Sequence, residues 1–159
     1  KLLCSLGHMV MISNSSEYFK LDKYLTRYTK KQLGLTMGVT NLIEIFDEKY
    51  YDSVKGGILE AFGNIFKNNM KIYLYPVLDK QKDTIIDSTN LKLEDNMKEF
   101  YKYFKVNNKI RDLEFNKDFL NIFSKDVLKQ IKNNTPGWED KLPEGASDLI
   151  IKKKMFGYK

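Results

Sequence analysis

Short apolar runs and helical stripes alternate along the first half of the chain. His8-Met9-Val10-Met11-Ile12-Ser13 and Leu33-Gly34-Leu35-Thr36-Met37-Gly38 are apolar stretches bounded by polar or glycine residues. Lys71-Ile72-Tyr73-Leu74-Tyr75-Pro76-Val77-Leu78 is β-branched and aromatic. Runs of this length without strict alternation read as strands covered on both faces. Between them, Tyr18, Leu21, Leu25 and Tyr28 recur at helical spacing, as do Leu42, Ile43, Ile45 and Phe46. Ile58, Leu59, Phe62, Ile65 and Phe66 form the buried side of a further helix after Gly56-Gly57. Asn14 with Glu17, and Asn41 with Glu44, have capping-box spacing directly after the first and second strands. This order predicts an α/β fold: a Rossmann-like parallel sheet with helices on both faces, in which the three strands are parallel neighbours. The helices of residues 14–30 and 41–66 are expected on its faces.

The pattern changes after Asp79. Residues 79–90 are polar and read as a loop. Phe100, Tyr103 and Phe104 fit an amphipathic helix over 94–106, ended by Asn107-Asn108. Phe119, Leu120, Ile122 and Phe123, then Val127, Leu128 and Ile131, predict two short helices, the second capped by Ser124. Thr135-Pro136-Gly137-Trp138 reads as a turn anchored by Trp138, and Pro143 opens a last helix carrying Leu149, Ile150 and Ile151. The expected organisation is a partial Rossmann-like core over 1–79, followed by a helical C-terminal part over 80–159 packed on the same domain. Lys1 to Leu6 reads as the end of a helix that Gly7 terminates in left-handed geometry. The chain is therefore expected to be part of a larger protein whose earlier strands precede Lys1.

Composition narrows the class. Hydrophobic residues make up 42% and aromatics 13%, which excludes a disordered chain. The single cysteine, Cys4, excludes an internal disulfide framework and reads as a small packing residue in a reducing compartment, cytoplasm or mitochondrial matrix. No apolar run approaches the roughly 18 residues of a membrane span. The net charge is +6, from 27 Lys and Arg against 21 Asp and Glu. Most lysines are scattered among acids, so nucleic acid is not the favoured partner, and an anionic small molecule fits the sign of the charge. Lys152-Lys153-Lys154 is too short a run to define a nucleic-acid site by itself.

Candidate chemistry follows from the fold. In open parallel sheets ligands bind outside the carboxyl ends of the strands. Ser13, Asn14, Gly38, Thr40 and Asn41 would meet there, with Tyr75 to Asp79 beside them. Small hydroxyl or amide residues at a helix start either hold phosphate and sugar oxygens or serve as caps. Gly56-Gly57 with Gly63 is not the dinucleotide fingerprint and reads as a tight turn with close helix packing. Asp47, Glu48 and Asp52 just before it read as a solvated loop, with a metal or a ribose as the alternative. His8, the only histidine, supplies neither a paired-histidine motif nor a zinc site.

Several stretches together resemble a known family. They are Tyr24-Leu25-Thr26-Arg27-Tyr28-Thr29, Leu42 to Tyr51, Gly56-Gly57-Ile58-Leu59-Glu60-Ala61-Phe62-Gly63, Lys71 to Pro76, Ile122 to Leu128, Pro136-Gly137-Trp138-Glu139 and Phe156-Gly157-Tyr158. They are similar to a bacterial and algal family labelled nicotinate-nucleotide adenylyltransferase. The resemblance implies a nucleotidyltransferase-like protein with a nucleotide as ligand. The H-x-G-H-type and S/T-x-x-R-type motifs of that superfamily are absent from this sequence, so the resemblance carries no catalytic residue with it. Two readings stand: a nucleotide- or phosphate-binding domain, or a non-catalytic structural subunit of a larger, mitochondrial assembly.

Overall fold

Three parallel strands organise the middle of the chain. The computed structural model describes residues 2–14, 18–67 and 69–159, and of Phe19 the backbone alone. In chain order its elements are α1 (Leu2–Ser5), α2 (Tyr18–Leu25), β1 (Gly34–Gly38), α3 (Val39–Ile45), α4 (Gly57–Phe66), β2 (Lys71–Tyr75), β3 (Val77–Asp79), β4 (Thr84–Ile86), α5 (Lys98–Val106), β5 (Ile110–Asp112), α6 (Ser124–Asn133) and α7 (Ala146–Lys153). The sheet order is β1-β2-β5 with both pairings parallel. β3 and β4 form a separate antiparallel hairpin.

The chain divides into two units, Ser13–Phe115 and Lys1–Ile12 with Asn116–Lys159. The boundary expected at residue 79 falls inside the first unit, because β5, from the second half, returns to the sheet beside β2. The expected loop over 79–90 contains β4 instead, paired with β3, which takes the last residues of the strand expected over 71–78. Pro76 has no N–H to continue the parallel ladder, and the chain turns there into β3.

His8 to Ser13 is not a strand. The segment is irregular, with Met9 102% and Ile12 94% exposed. An apolar run becomes a strand only where another backbone offers N–H and C=O partners along its length. The ending of α1 is as expected: Gly7 sits at φ 86, its N–H donates to the Cys4 carbonyl and the His8 N–H to that of Leu3. Cys4, expected to pack, is exposed.

Side chains along the sheet alternate. Leu35, Met37, Ile72, Leu74 and Ile110 share one face by register, and Ile72 and Leu74 are completely buried there. The opposite face carries exposed Gly34, Thr36 and Arg111, so the expected cover on both faces is complete on one only. Against the buried face packs an aromatic cluster of Phe46, Phe62, Phe66, Phe100, Tyr101 and Phe104. Tyr103, placed on that stripe from its spacing, is 62% exposed, and Leu59 on α4 is 67% exposed. Tyr51 closes the cluster by donating to the Ile45 carbonyl at 2.7 Å, and burial pushes its phenol up to about 12. Gly57, at φ 58, meets the expectation of a tight turn. Open space around Gly63 removes the packing role expected of it.

The second unit has its own small core of Val127, Ile131, Trp138 and Ile150, with Tyr158 against the Trp138 ring at 5.8 Å. Trp138 is 1% exposed and anchors its turn as expected. Ser124 is the first residue of α6 rather than its cap, and Pro143 precedes α7 in a turn where its carbonyl accepts from the Ala146 N–H.

Candidate functional site

The carboxyl ends of the strands are Gly38, Tyr75 and Asp112, with Gly38 opposite Tyr75 and Leu74 opposite Asp112. Strand spacing puts the three ends within about 10 Å of one another. Of the residues singled out beforehand, Gly38, Thr40 and Asn41 lie here. Ser13 and Asn14 do not, since residues 8–14 form no strand; both are exposed residues of an irregular stretch. Glu17, the partner proposed for Asn14, lies outside the described residues.

α3 starts earlier than its capping-box pattern suggested. Gly38 is its N-cap at φ −82, ψ 167, without a side-chain cap, so Thr40 and Asn41 are exposed residues inside the first turn. That backbone conformation is open to any residue, and a Cβ on Gly38 would meet nothing within 4 Å. Neither strain nor packing within the unit requires glycine here.

The end of β5 holds a polar constellation with no local sequence signature. Asp112 Oδ1 accepts from the Ser88 N–H at 2.9 Å, and the Ser88 hydroxyl donates to Asp112 Oδ2. Lys105 Nζ, from α5, donates to Ser88 Oγ and lies 3.9 Å from the Asp112 carboxylate. Tyr101, one turn earlier on α5, donates to the Ser88 carbonyl at 2.7 Å. Burial, with the Asp112 charge nearby, holds the Tyr101 phenol well above its ordinary range, so it remains a donor at neutral pH. Ser88 itself is 2% exposed. Its hydroxyl is committed to two partners and shielded from solvent, which suits a staple rather than a nucleophile.

This staple shapes the loop after β4. Asp87 accepts from the Thr89 N–H and hydroxyl at 2.7 and 2.6 Å, and Asn90 donates to the Ile85 carbonyl at 2.8 Å. The Thr89 hydroxyl above all holds the Asp87 carboxyl below its ordinary value. The loop walls a cavity of about 500 Å³ lined by Ser88, Thr89, Leu91, Lys92, Lys98 and Tyr101, with Leu93. Because Ser88 is tied to the last residue of β5, the cavity belongs to the carboxyl edge of the sheet. A neighbouring cavity of about 310 Å³ shares Lys92 and Leu93 but adds the carboxylates of Asp47, Glu94 and Asp95. Coulomb's law therefore favours an anion in the larger of the two.

Asp47, considered for a metal or ribose, instead caps the turn Glu48–Tyr51 by accepting from the Lys49 N–H, and pairs with the Lys49 ammonium. Among the described residues no cluster of His, Cys, Asp or Glu is arranged to hold a metal ion. No helix among the described residues is long and apolar enough to cross a membrane. No protein-family model, curated protein or solved structure matches this chain.

Proposed function

We propose that the Ser13–Phe115 unit is a Rossmann-like ligand-binding domain that takes a nucleotide or another phosphorylated anion at the carboxyl edge of its sheet. The observation that carries this reading is the cavity of about 500 Å³ beside Ser88, which is of small-ligand size. Lys92 and Lys98 supply positive charge, and Leu91, Leu93 and Tyr101 an apolar wall, while the Thr89 hydroxyl stays committed to Asp87. Lys98 also pairs with Asp95, whereas Lys92 has no ion-pair partner among the described residues. Lys92 is thus the cation with most charge to offer a phosphate. The nucleotidyltransferase-like resemblance makes nicotinate mononucleotide and ATP the first ligands to test, with inorganic phosphate as the minimal anion.

Calorimetric titration of the full chain with these three compounds is the test. Lys92→Gln is expected to weaken binding by at least about tenfold, the usual effect of removing a charged hydrogen-bond donor. Gly38→Val is expected to reduce stability by only about 1 kcal/mol, because its side chain enters open space at a cap position. It should abolish binding if the ligand extends to the end of β1. Absence of binding for all three compounds, or binding indifferent to Lys92→Gln, would overturn the reading.

A second reading, a non-catalytic subunit of a larger assembly, is favoured by a different observation. Leu3, Leu6, Met9, Val10, Met11 and Ile12 are all exposed in one short stretch. Exposed apolar side chains gathered in one segment are the usual mark of a protein–protein contact.

A further inference from the structure

We propose that the end of the second unit where α6 and α7 finish docks on an anionic phospholipid surface, with the Phe156 ring entering the interface. This goes beyond the ligand site, which lies in the other unit.

Both helices have an acidic first turn and a basic last turn: Asp126 and Lys132 on α6, and Asp148 with Lys152 and Lys153 on α7. Lys154 follows as the C-cap of α7. The turn Met155–Gly157 brings the two basic ends together, for a Cβ on Gly157 would lie 3.4 Å from Lys132 Cγ. Lys132, Lys152, Lys153 and Lys154 are all exposed. Among the described residues none of the four has an ion-pair partner. Complementing the helix dipole explains lysines in these positions. It does not explain the apolar group set among them.

Phe156 is 53% exposed and Ile151 41%, with Met155 half-buried between them. Phe156 also adopts φ 58, ψ 22, in the left-handed region, two residues after Lys154 at φ 48. A bulky side chain is disfavoured there and glycine is not. Neither burial nor backbone preference therefore accounts for a phenylalanine at this position. An exposed ring and an exposed isoleucine rimmed by unpaired lysines match what an anionic bilayer surface takes up. Ammonium groups lie among the headgroups while the ring reaches the acyl boundary.

The sign of the charge requires an acidic occupant, and the residue types choose among acidic occupants. Residues 116–159 contain no arginine, the side chain best shaped for bidentate contacts to phosphates and guanine. Tyr158 is turned into the core against Trp138, so successive exposed rings for base stacking are lacking in this patch. Diffuse lysine charge around one apolar wedge suits a fluid headgroup layer better than a nucleic acid.

Flotation of the full chain with vesicles of phosphatidylcholine alone, and of phosphatidylcholine with phosphatidylserine, tests the proposal. Binding is expected to the mixed vesicles only and to fall with added salt. Each of Lys152→Gln, Lys153→Gln and Lys154→Gln should weaken it about fivefold, and the triple variant on the order of 100-fold. Phe156→Gly should weaken it about fivefold through the lost apolar burial while leaving Tm unchanged or raised, since glycine suits that backbone. A merely structural Phe156 would lower Tm and leave vesicle binding intact. Equal binding to both vesicle types, no binding to either, full retention by the triple variant, or tighter binding to single-stranded RNA than to vesicles would each overturn the proposal.

Discussion

Phe62→Ala is expected to lower the unfolding free energy of the Ser13–Phe115 unit by about 4 kcal/mol, the largest effect of any single truncation in its core. Phe62 is 1% exposed, and its ring centroid lies 4.8 Å from that of Phe46, 5.1 Å from Phe100 and 5.2 Å from Phe104. Tyr51 and Phe66 stand slightly further out, at 6.2 and 6.0 Å. Truncation removes the transfer energy of a buried ring. It also leaves a cavity walled by five other aromatics, whose rigid edges cannot collapse to fill it. Since small domains are stable by roughly 5–15 kcal/mol, the loss takes between about a quarter and most of that margin. Leu59→Ala, on the exposed side of the same helix, should change stability by less than about 0.5 kcal/mol. Urea midpoints of the two variants and the parent provide the measurement. Similar small shifts for both would mean that the aromatic cluster is not the centre of this core.

Asp112→Ala should be the next most damaging change, at about 3 kcal/mol. It strips the acceptor from two Ser88 donors and the counter-charge from Lys105 together. Ser88 is too buried for water to replace those bonds, and each unsatisfied buried donor is destabilising by about 1–3 kcal/mol. The ion pair adds little, because Lys105 and Asp112 retain 28% and 30% of their side-chain exposure. Ser88→Ala should be milder, near 1 kcal/mol, since its backbone N–H keeps Asp112 as partner. Hydrogen exchange at the Ser88 amide should quicken in Asp112→Ala before global unfolding sets in. A stability change under about 0.5 kcal/mol, with unchanged amide protection, would show that the loop does not rely on this staple. Because the same loop walls the cavity, Asp112→Ala should also weaken any ligand bound beside Lys92.

Much of the first unit was legible because its signals are local. Leu33 to Gly38 and Lys71 to Leu78 are apolar runs of strand length, and Gly34–Gly38 and Lys71–Tyr75 within them are strands of one parallel pair, the second run being cut at Pro76. The stripes of α3 and α4 bury Leu42, Ile45, Ile58, Phe62 and Ile65 as their helical spacing requires. β5 escaped notice because it is only Ile110–Asp112, with one buried side chain, and too short to show a period. The apolar run at His8 to Ser13 misled for the converse reason. Its composition suits a strand, but the hydrogen bonds that make one must come from a neighbour.

The candidate site divides in the same way. Gly38, Thr40 and Asn41 were found from a rule about strand ends, and the fold sets them at such an end. Ser88, Lys105 and Asp112 were not, since 17 and 24 residues separate Ser88 from its two partners. No periodic pattern links residues so far apart, and each is an ordinary polar residue in its own segment. The chain's own pattern thus determined that this is an α/β protein with a parallel strand pair, an aromatic core and a basic balance, because propensity, spacing and charge act over a few neighbouring residues. Only the tertiary structure decided which strand joins that pair, which apolar run stays outside the sheet, and which charges meet at its carboxyl edge. Those outcomes depend on hydrogen bonds and contacts between distant segments, and such bonds have no partner until the chain has folded.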